Sequence, residues 1–175
     1  EFVTACRDGG VVPFVYHTTL DWRWDTSNRD ERRFGEYIDY LHKSLEILCT
    51  NYGELGGIWL DGDWSRRDAD WRLDERYGLM RRYQPEAMLI NNTGIGQQGK
   101  VSHPELDSVT FEQHAATPID RTGHTKYLAG EMCQTMNSHW GIGAHDLAYK
   151  SVPELITFLA RCRKVGANYL LNVGP

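Results

Sequence analysis

The chain has 175 residues, 41% of them hydrophobic and 25% charged, which suits one globular domain with a core and excludes disorder or low complexity. Lys plus Arg total 19 against 24 Asp plus Glu, a net charge of −5 with no basic run, which argues against nucleic-acid and membrane-surface partners. No apolar stretch reaches the roughly 18 residues that a spanning helix needs.

In chain order, a short apolar run over residues 11–17 reads as the first strand. Phe34, Tyr37, Ile38, Leu41, Leu45 and Leu48 then fall at helical spacing, with Gly53 placed to end that helix. Gly57–Asp61 is the second strand, and a weaker helix over residues 74–83 precedes Pro85. Residues 87–91, Ser108–Glu112 and residues 127–132 read as three further strands, the last two joined by irregular connections. Ser151-Val-Pro-Glu154 is a capping box for a helix with the stripe Leu155, Phe158, Leu159, Cys162 and Val165, closed by Gly166. Residues 169–173 form the sixth strand. Near-continuous apolar strands alternating with helices predict α/β structure with parallel strands and outer helices, an incomplete TIM-like (β/α) barrel over residues 1–175. An open doubly wound sheet is the alternative.

Cys6, Cys49, Cys133 and Cys162 lie far apart with no Cys-x-x-Cys pair, so they read as small apolar residues and not as disulfides or zinc ligands. That usage leans toward a cytoplasmic compartment, which otherwise stays unassigned. The chain opens on Glu1, and the apolar run into Pro175 stops abruptly, so both ends are expected to be cut points.

In a parallel barrel, chemistry gathers at the C-terminal strand ends. Here those ends carry Tyr16 and His17, Asp61, Asn91 and Asn92, Glu112, Glu131 and Asn172. In Gly57-Ile-Trp-Leu-Asp-Gly-Asp-Trp64, Trp59 and Asp61 point to one side of the strand. An indole beside a carboxylate suits a sugar site, one binding C–H faces and the other supplying acid chemistry. The competing reading is that Asp61 caps the following turn. Glu112 and Glu131 add carboxylates for glycoside hydrolysis, in which one attacks the anomeric carbon and another protonates the leaving oxygen. Taken alone, each reads more readily as a rim salt bridge to an arginine such as Arg121 or Arg23.

Other patterns carry less. Gly94-Ile-Gly96-Gln-Gln-Gly99 matches a dinucleotide fingerprint, but Pro104 and a polar stretch follow where a helix is needed. Asp61-Gly-Asp63 resembles a metal pair without further ligands at suitable spacing, and the seven histidines are scattered. Asn91-Asn92-Thr93 is a glycosylation sequon, and the Trp59, Trp64, Trp71 series reads mostly as core.

At these residues the sequence resembles the retaining α-L-fucosidases of glycoside hydrolase family 29. Phe14-Val-Tyr16-His-Thr-Thr-Leu-Asp-Trp22 is similar to that family's Tyr-Tyr-Ser-x-x-x-Asp/Glu-Trp segment, and Ile58-Trp-Leu-Asp61-Gly to its nucleophile strand. Glu131 through Ser138-His-Trp140-Gly141 resembles its Trp-Glu…Ser-Trp-Gly-Tyr segment. Gly166-Ala-Asn-Tyr-Leu-Leu-Asn-Val-Gly-Pro175 resembles its closing motif. The resemblance implies Asp61 as nucleophile and Glu112 as acid/base, with Glu131 as its rival. It implies sugar contacts from Tyr16, His17, Trp59, Asn92, Glu131 and Trp140, no metal, and no cofactor. The chain departs from the pattern at His17 for a second Tyr, Gly130 for a Trp, and Thr93 where some members carry Arg.

The expected function is therefore an exo-glycosidase releasing terminal α-L-fucose through a covalent fucosyl-enzyme. Its partners would be fucosylated oligosaccharides or glycoconjugates, with a homo-oligomer allowed. The rival readings are a lectin-like carbohydrate-binding barrel, which needs Trp59 and Trp140 but no carboxylate, and a metal-dependent hydrolase barrel.

Overall fold

The computed structural model describes residues 1–24 and 30–173. The chain divides into two compact units, Glu1–Asn92 and Thr93–Pro175. Both are built from parallel strands and covering helices, as the alternating apolar pattern predicts.

The first unit runs α1 (Phe2–Asp8), β1 (Phe14–Thr18), α2 (Glu31–Asn51), β2 (Gly57–Asp61), α3 (Leu73–Tyr83) and β3 (Met88–Asn92). β1 begins three residues later than the pattern suggests. Pro13 has no N–H for a ladder, and its carbonyl instead accepts from Gly56 N. α2 starts where Asp30 Oδ1 accepts from the amides of Arg32 and Arg33 at 3.0 and 3.2 Å. Its stripe of Phe34, Tyr37, Ile38, Leu41, Leu45 and Cys49 is buried. Gln84 stitches the end of α2 to the start of β2: its Nε2 donates to the carbonyls of Cys49 and Gly53, and its Oε1 accepts from Leu55 N. The parallel registers align Thr18, Asp61 and Asn92 at the C-terminal tips of the three strands.

The second unit runs β4 (Ser108–Glu112), β5 (Ala129–Thr135), α4 (Val152–Val165) and β6 (Ala167–Asn172). β5 continues three residues past the expected end. Its polar extension has partners, Tyr169 Oη donating to Gln134 Oε1 and Gln113 Nε2 to Thr135 Oγ1. Val109, Phe111, Leu128, Met132, Cys162 and Ala167 form the core, with Phe158 and Val165 of α4 packed against it. Leu159, assigned to the same stripe from its spacing, is exposed. α4 begins with Ser151 N donating to Glu154 Oε2 at 2.7 Å and ends at Gly166 with φ 72°, the left-handed region that favours glycine. The Gly174-Pro175 end of the closing motif lies outside the described residues.

Candidate active site

β2 is stiff because Ile58 and Leu60 are wholly buried, and alternation turns Trp59 and Asp61 to the opposite face. Among the described residues, the Asp61 carboxylate accepts from three side chains: Tyr16 Oη to Oδ2 at 2.9 Å, and Trp64 Nε1 and Asn92 Nδ2 to Oδ1 at 2.7 and 3.2 Å. The Tyr16 and Trp59 rings stack at 5.8 Å and 23°. Asp61 does not cap the next turn, whose N-terminal position is Gly62 with no side-chain cap. The tip thus presents an oriented carboxylate beside an aromatic pair.

The turn after Asp61 is over-determined. Gly62 has φ 132°, and a Cβ there would lie 2.8 Å from both Leu20 N and Thr19 Oγ1. Asp63, the second acid of the apparent metal pair, is engaged elsewhere. Arg76 Nη1 donates to its two oxygens at 3.0 and 2.8 Å, and Asn91 Nδ2 to Oδ2 at 2.9 Å. Among the described residues, no group of three or more His, Cys, Asp or Glu could hold a metal ion.

His17 does not join Tyr16. Its Nε2 lies 2.8 Å from Ser44 Oγ on α2, and its Nδ1 lies 2.7 Å from the Thr18 carbonyl. A carbonyl only accepts, so Nδ1 carries the proton and Nε2 accepts from the serine. Burial lowers the His17 pKa, the Thr18 carbonyl opposes this, and the Arg76 charge adds to the lowering. The ring thereby links β1 to α2. Asn92 is buried and bonded to Asp61, and Asn91 is buried as well. Their burial argues against use of the sequon.

In the second unit, the registers set Thr110 beside Glu131 and Asn168, and Glu112 beside Cys133. Alternation puts Glu112 and Glu131 on the face opposite the core, with Glu112 at the tip of β4 and Glu131 two positions deeper. Glu131 is 8% exposed, and its Oε2 accepts from Asn168 Nδ2 at 2.7 Å. Glu112 is half-buried, and its carbonyl accepts from Gln98 Nε2 and the His114 ring. The arginines offered as salt-bridge partners have other attachments: Arg23 to Asp21, and Arg121 to the Leu128 carbonyl. Trp140 is exposed on the loop after β5, its carbonyl accepting from Asn172 Nδ2 at 2.7 Å. Asp146 ties the loop down, accepting from Ser138 N and the His139 ring at 2.8 and 2.7 Å, and its carboxyl pKa is lowered chiefly by that histidine. Within the glycine fingerprint, Ile95–Gln97 form a 3-10 turn and β4 is the next regular element, so the fingerprint has no phosphate-binding helix end.

Trp64 is the site residue that the sequence reading passed over. Trp71 is core, as expected, but Trp64 is 40% exposed with its N–H on Asp61. The available signal was the spacing: three residues on, across a 3-10 turn, brings position 64 back over position 61.

The family model described as Alpha-L-fucosidase matches residues 1–175. Alpha-L-fucosidase of Dictyostelium discoideum is 26% identical across 100% of this chain, and tissue alpha-L-fucosidase of Homo sapiens 24% identical across 100%. The chain spans 38% of the length of each of these relatives. Alpha-L-fucosidase isoenzyme 1 from Paenibacillus thiaminolyticus matches with a TM-score of 0.76 and 27% identity, over 100% of this chain and 46% of that one. Alpha-L-fucosidase AlfC from Lactobacillus casei, in complex with its alpha-L-fucose product, shares the fold with a TM-score of 0.74 at 22% identity, over 99% of this chain and 57% of that one. With the family model matched along its whole length, the chain belongs to the alpha-L-fucosidase family.

Proposed function

We propose that the protein containing this chain hydrolyses terminal α-L-fucosides with retention, with residues 1–175 forming part of its catalytic (β/α) barrel. The observation that carries this reading is the Asp61 carboxylate, oriented by three side-chain donors at a strand tip in a chain of this family. Asp61 attacks C1 of the fucoside, and Glu112 protonates the leaving oxygen. Water then attacks C1 of the fucosyl-enzyme, losing its proton to Glu112. The exposure of Tyr16 and Trp140 and the half-burial of Trp59 support ring contacts to the sugar and its methyl group. Fucosylated oligosaccharides or glycoconjugates are the substrates.

Glu112 is favoured over Glu131 because an acid/base must reach the leaving oxygen and then water. Glu112 ends its strand, whereas Glu131 is buried and bonded to Asn168. Glu131 then serves as a polar contact to the sugar.

In the full-length protein, Asp61→Ala is expected to cut turnover of an aryl α-L-fucoside by several orders of magnitude. Azide should restore turnover with β-fucosyl azide as product, read by NMR. Near-normal turnover rejects the assignment. Glu112→Ala should depress natural fucosides far more than activated aryl fucosides in the first step, since only a poor leaving group needs a proton. If Glu131→Ala alone shows that dependence, the two glutamates exchange roles.

A further inference from the structure

The two oxygens of Asp61 are held differently. Among the described residues, Oδ1 accepts from Trp64 Nε1 at 2.7 Å and from Asn92 Nδ2 at 3.2 Å, whereas Oδ2 accepts from the Tyr16 hydroxyl at 2.9 Å. The Oδ1 donors are fixed. Asn92 is buried on β3, and Trp64 rides a turn locked by the Gly62 backbone and by the clamp of fully buried Arg76 on Asp63. Tyr16 is 62% exposed, and a hydroxyl can rotate to another acceptor.

Resting on the reading of Asp61 as nucleophile, we infer that Trp64 is a positioning residue that reserves Oδ1 as the non-attacking oxygen. Oδ2 then forms the bond to C1, and Trp64 accelerates release of fucose more than formation of the covalent intermediate. In the first step a lone pair of Oδ2 bonds to C1 while the bond from C1 to the aglycone oxygen breaks. That oxygen keeps the electron pair and takes a proton from the acid/base. The carboxylate becomes an ester with Oδ1 as its carbonyl oxygen, so charge drains from Oδ1. A donor on Oδ1 therefore stabilises the starting carboxylate more than this transition state. In the second step water bonds to C1, the bond from C1 to Oδ2 breaks with its pair returning to the carboxylate, and the water proton goes to the acid/base. Charge now grows across both oxygens, and a preplaced N–H on Oδ1 stabilises the departing carboxylate.

The test is Trp64→Phe in the full-length protein with an activated aryl α-L-fucoside. The ring stays and the N–H goes. kcat should fall about tenfold, the scale of one hydrogen bond to a charged group partly realised in the transition state. KM should fall in parallel, leaving kcat/KM, which reports the first step, within about threefold. A burst of aryl leaving group should appear, and the fucosyl ester on Asp61 should accumulate in the intact mass spectrum. A merely structural role for Trp64 would lower kcat/KM without a burst, and that result overturns the inference. If Trp64→Phe does not fold, incorporation of 3-benzothienylalanine at position 64 keeps the bicyclic shape and removes only the N–H. It should give the same burst and ester accumulation, and a fall in kcat/KM without a burst in that variant also overturns the inference. Normal turnover of Asp61→Ala would instead reject the nucleophile assignment, and the role of Trp64 with it.

Discussion

Arg76 carries a charge to a position with no solvent exposure, and the geometry around it explains how the chain tolerates this. Its Nη1 meets both oxygens of Asp63, its Nη2 donates to the Trp71 carbonyl at 3.3 Å, and its guanidinium lies 5.3 Å from the Trp71 ring centre. Taking such a charge out of water is costly, so the pair contributes position more than stability. What it positions is the turn between Asp61 and Trp64. Replacing one partner strands the other. Arg76→Met is expected to cost about 3–5 kcal/mol in urea unfolding, and adding Asp63→Asn should recover much of that loss. A strictly additive double variant would show that the two side chains are not coupled. Asp61 was legible in the sequence because an apolar strand has no packing reason to end in Asp-Gly. Trp64 was not, because the Asp63–Arg76 contact that separates it from the core Trp71 spans 13 positions and leaves no local pattern.

At the scale of elements, the strands and helices followed from periodicity, and the errors lie at their ends. Pro13 trims β1, and Gln134 and Thr135 lengthen β5 because each finds a side-chain partner that local polarity does not reveal. Strand alternation turns His17 to the face of β1 opposite Tyr16. In the structure His17 joins β1 to α2 through Ser44, and this contact has a pH signature. Burial is the largest cause lowering the His17 pKa from its ordinary 6.5, so the unfolded chain binds that proton at higher pH than the fold does. Stability from the neutral ring is complete above about 6.5 and is lost as pH falls below it toward the folded value. His42, also on α2 and also lowered chiefly by burial, acts in the same direction. The urea midpoint should therefore drop between about pH 7.5 and about pH 5.5, the window in which histidines titrate. His17→Gln, which cannot take up the proton, should flatten that slope and leave the share due to His42. An unchanged slope in the variant would mean that the ring is equally solvated folded and unfolded.

For the chain as a whole, the same strands that position the site also leave surface to be covered. Among the described residues, β1 has its ladder with β2, and β6 has its ladder with β5. Val11, Val12 and Phe14 are exposed along the approach to and start of β1, as are Leu170 and Val173 at and beyond the end of β6. A strand edge bordered by apolar side chains is a template for pairing with another chain. The chain on its own is therefore expected to self-associate, seen as a concentration-dependent rise in sedimentation coefficient. Charge decides how strongly. The net charge of −5 at pH 7 opposes contact, and that repulsion fades toward the pI near 5.8, so association should strengthen as pH falls to that value. Val12→Lys places a charge at the approach to β1, where it would have to be desolvated for another strand to pair, and should reduce association at both pH values. Lys there also lowers the net negative charge, so a purely electrostatic origin predicts the opposite result, stronger association of the variant at pH 7. Weaker association thus assigns the contact to the apolar edge, stronger association assigns it to loss of repulsion, and a monomer at every concentration rejects both.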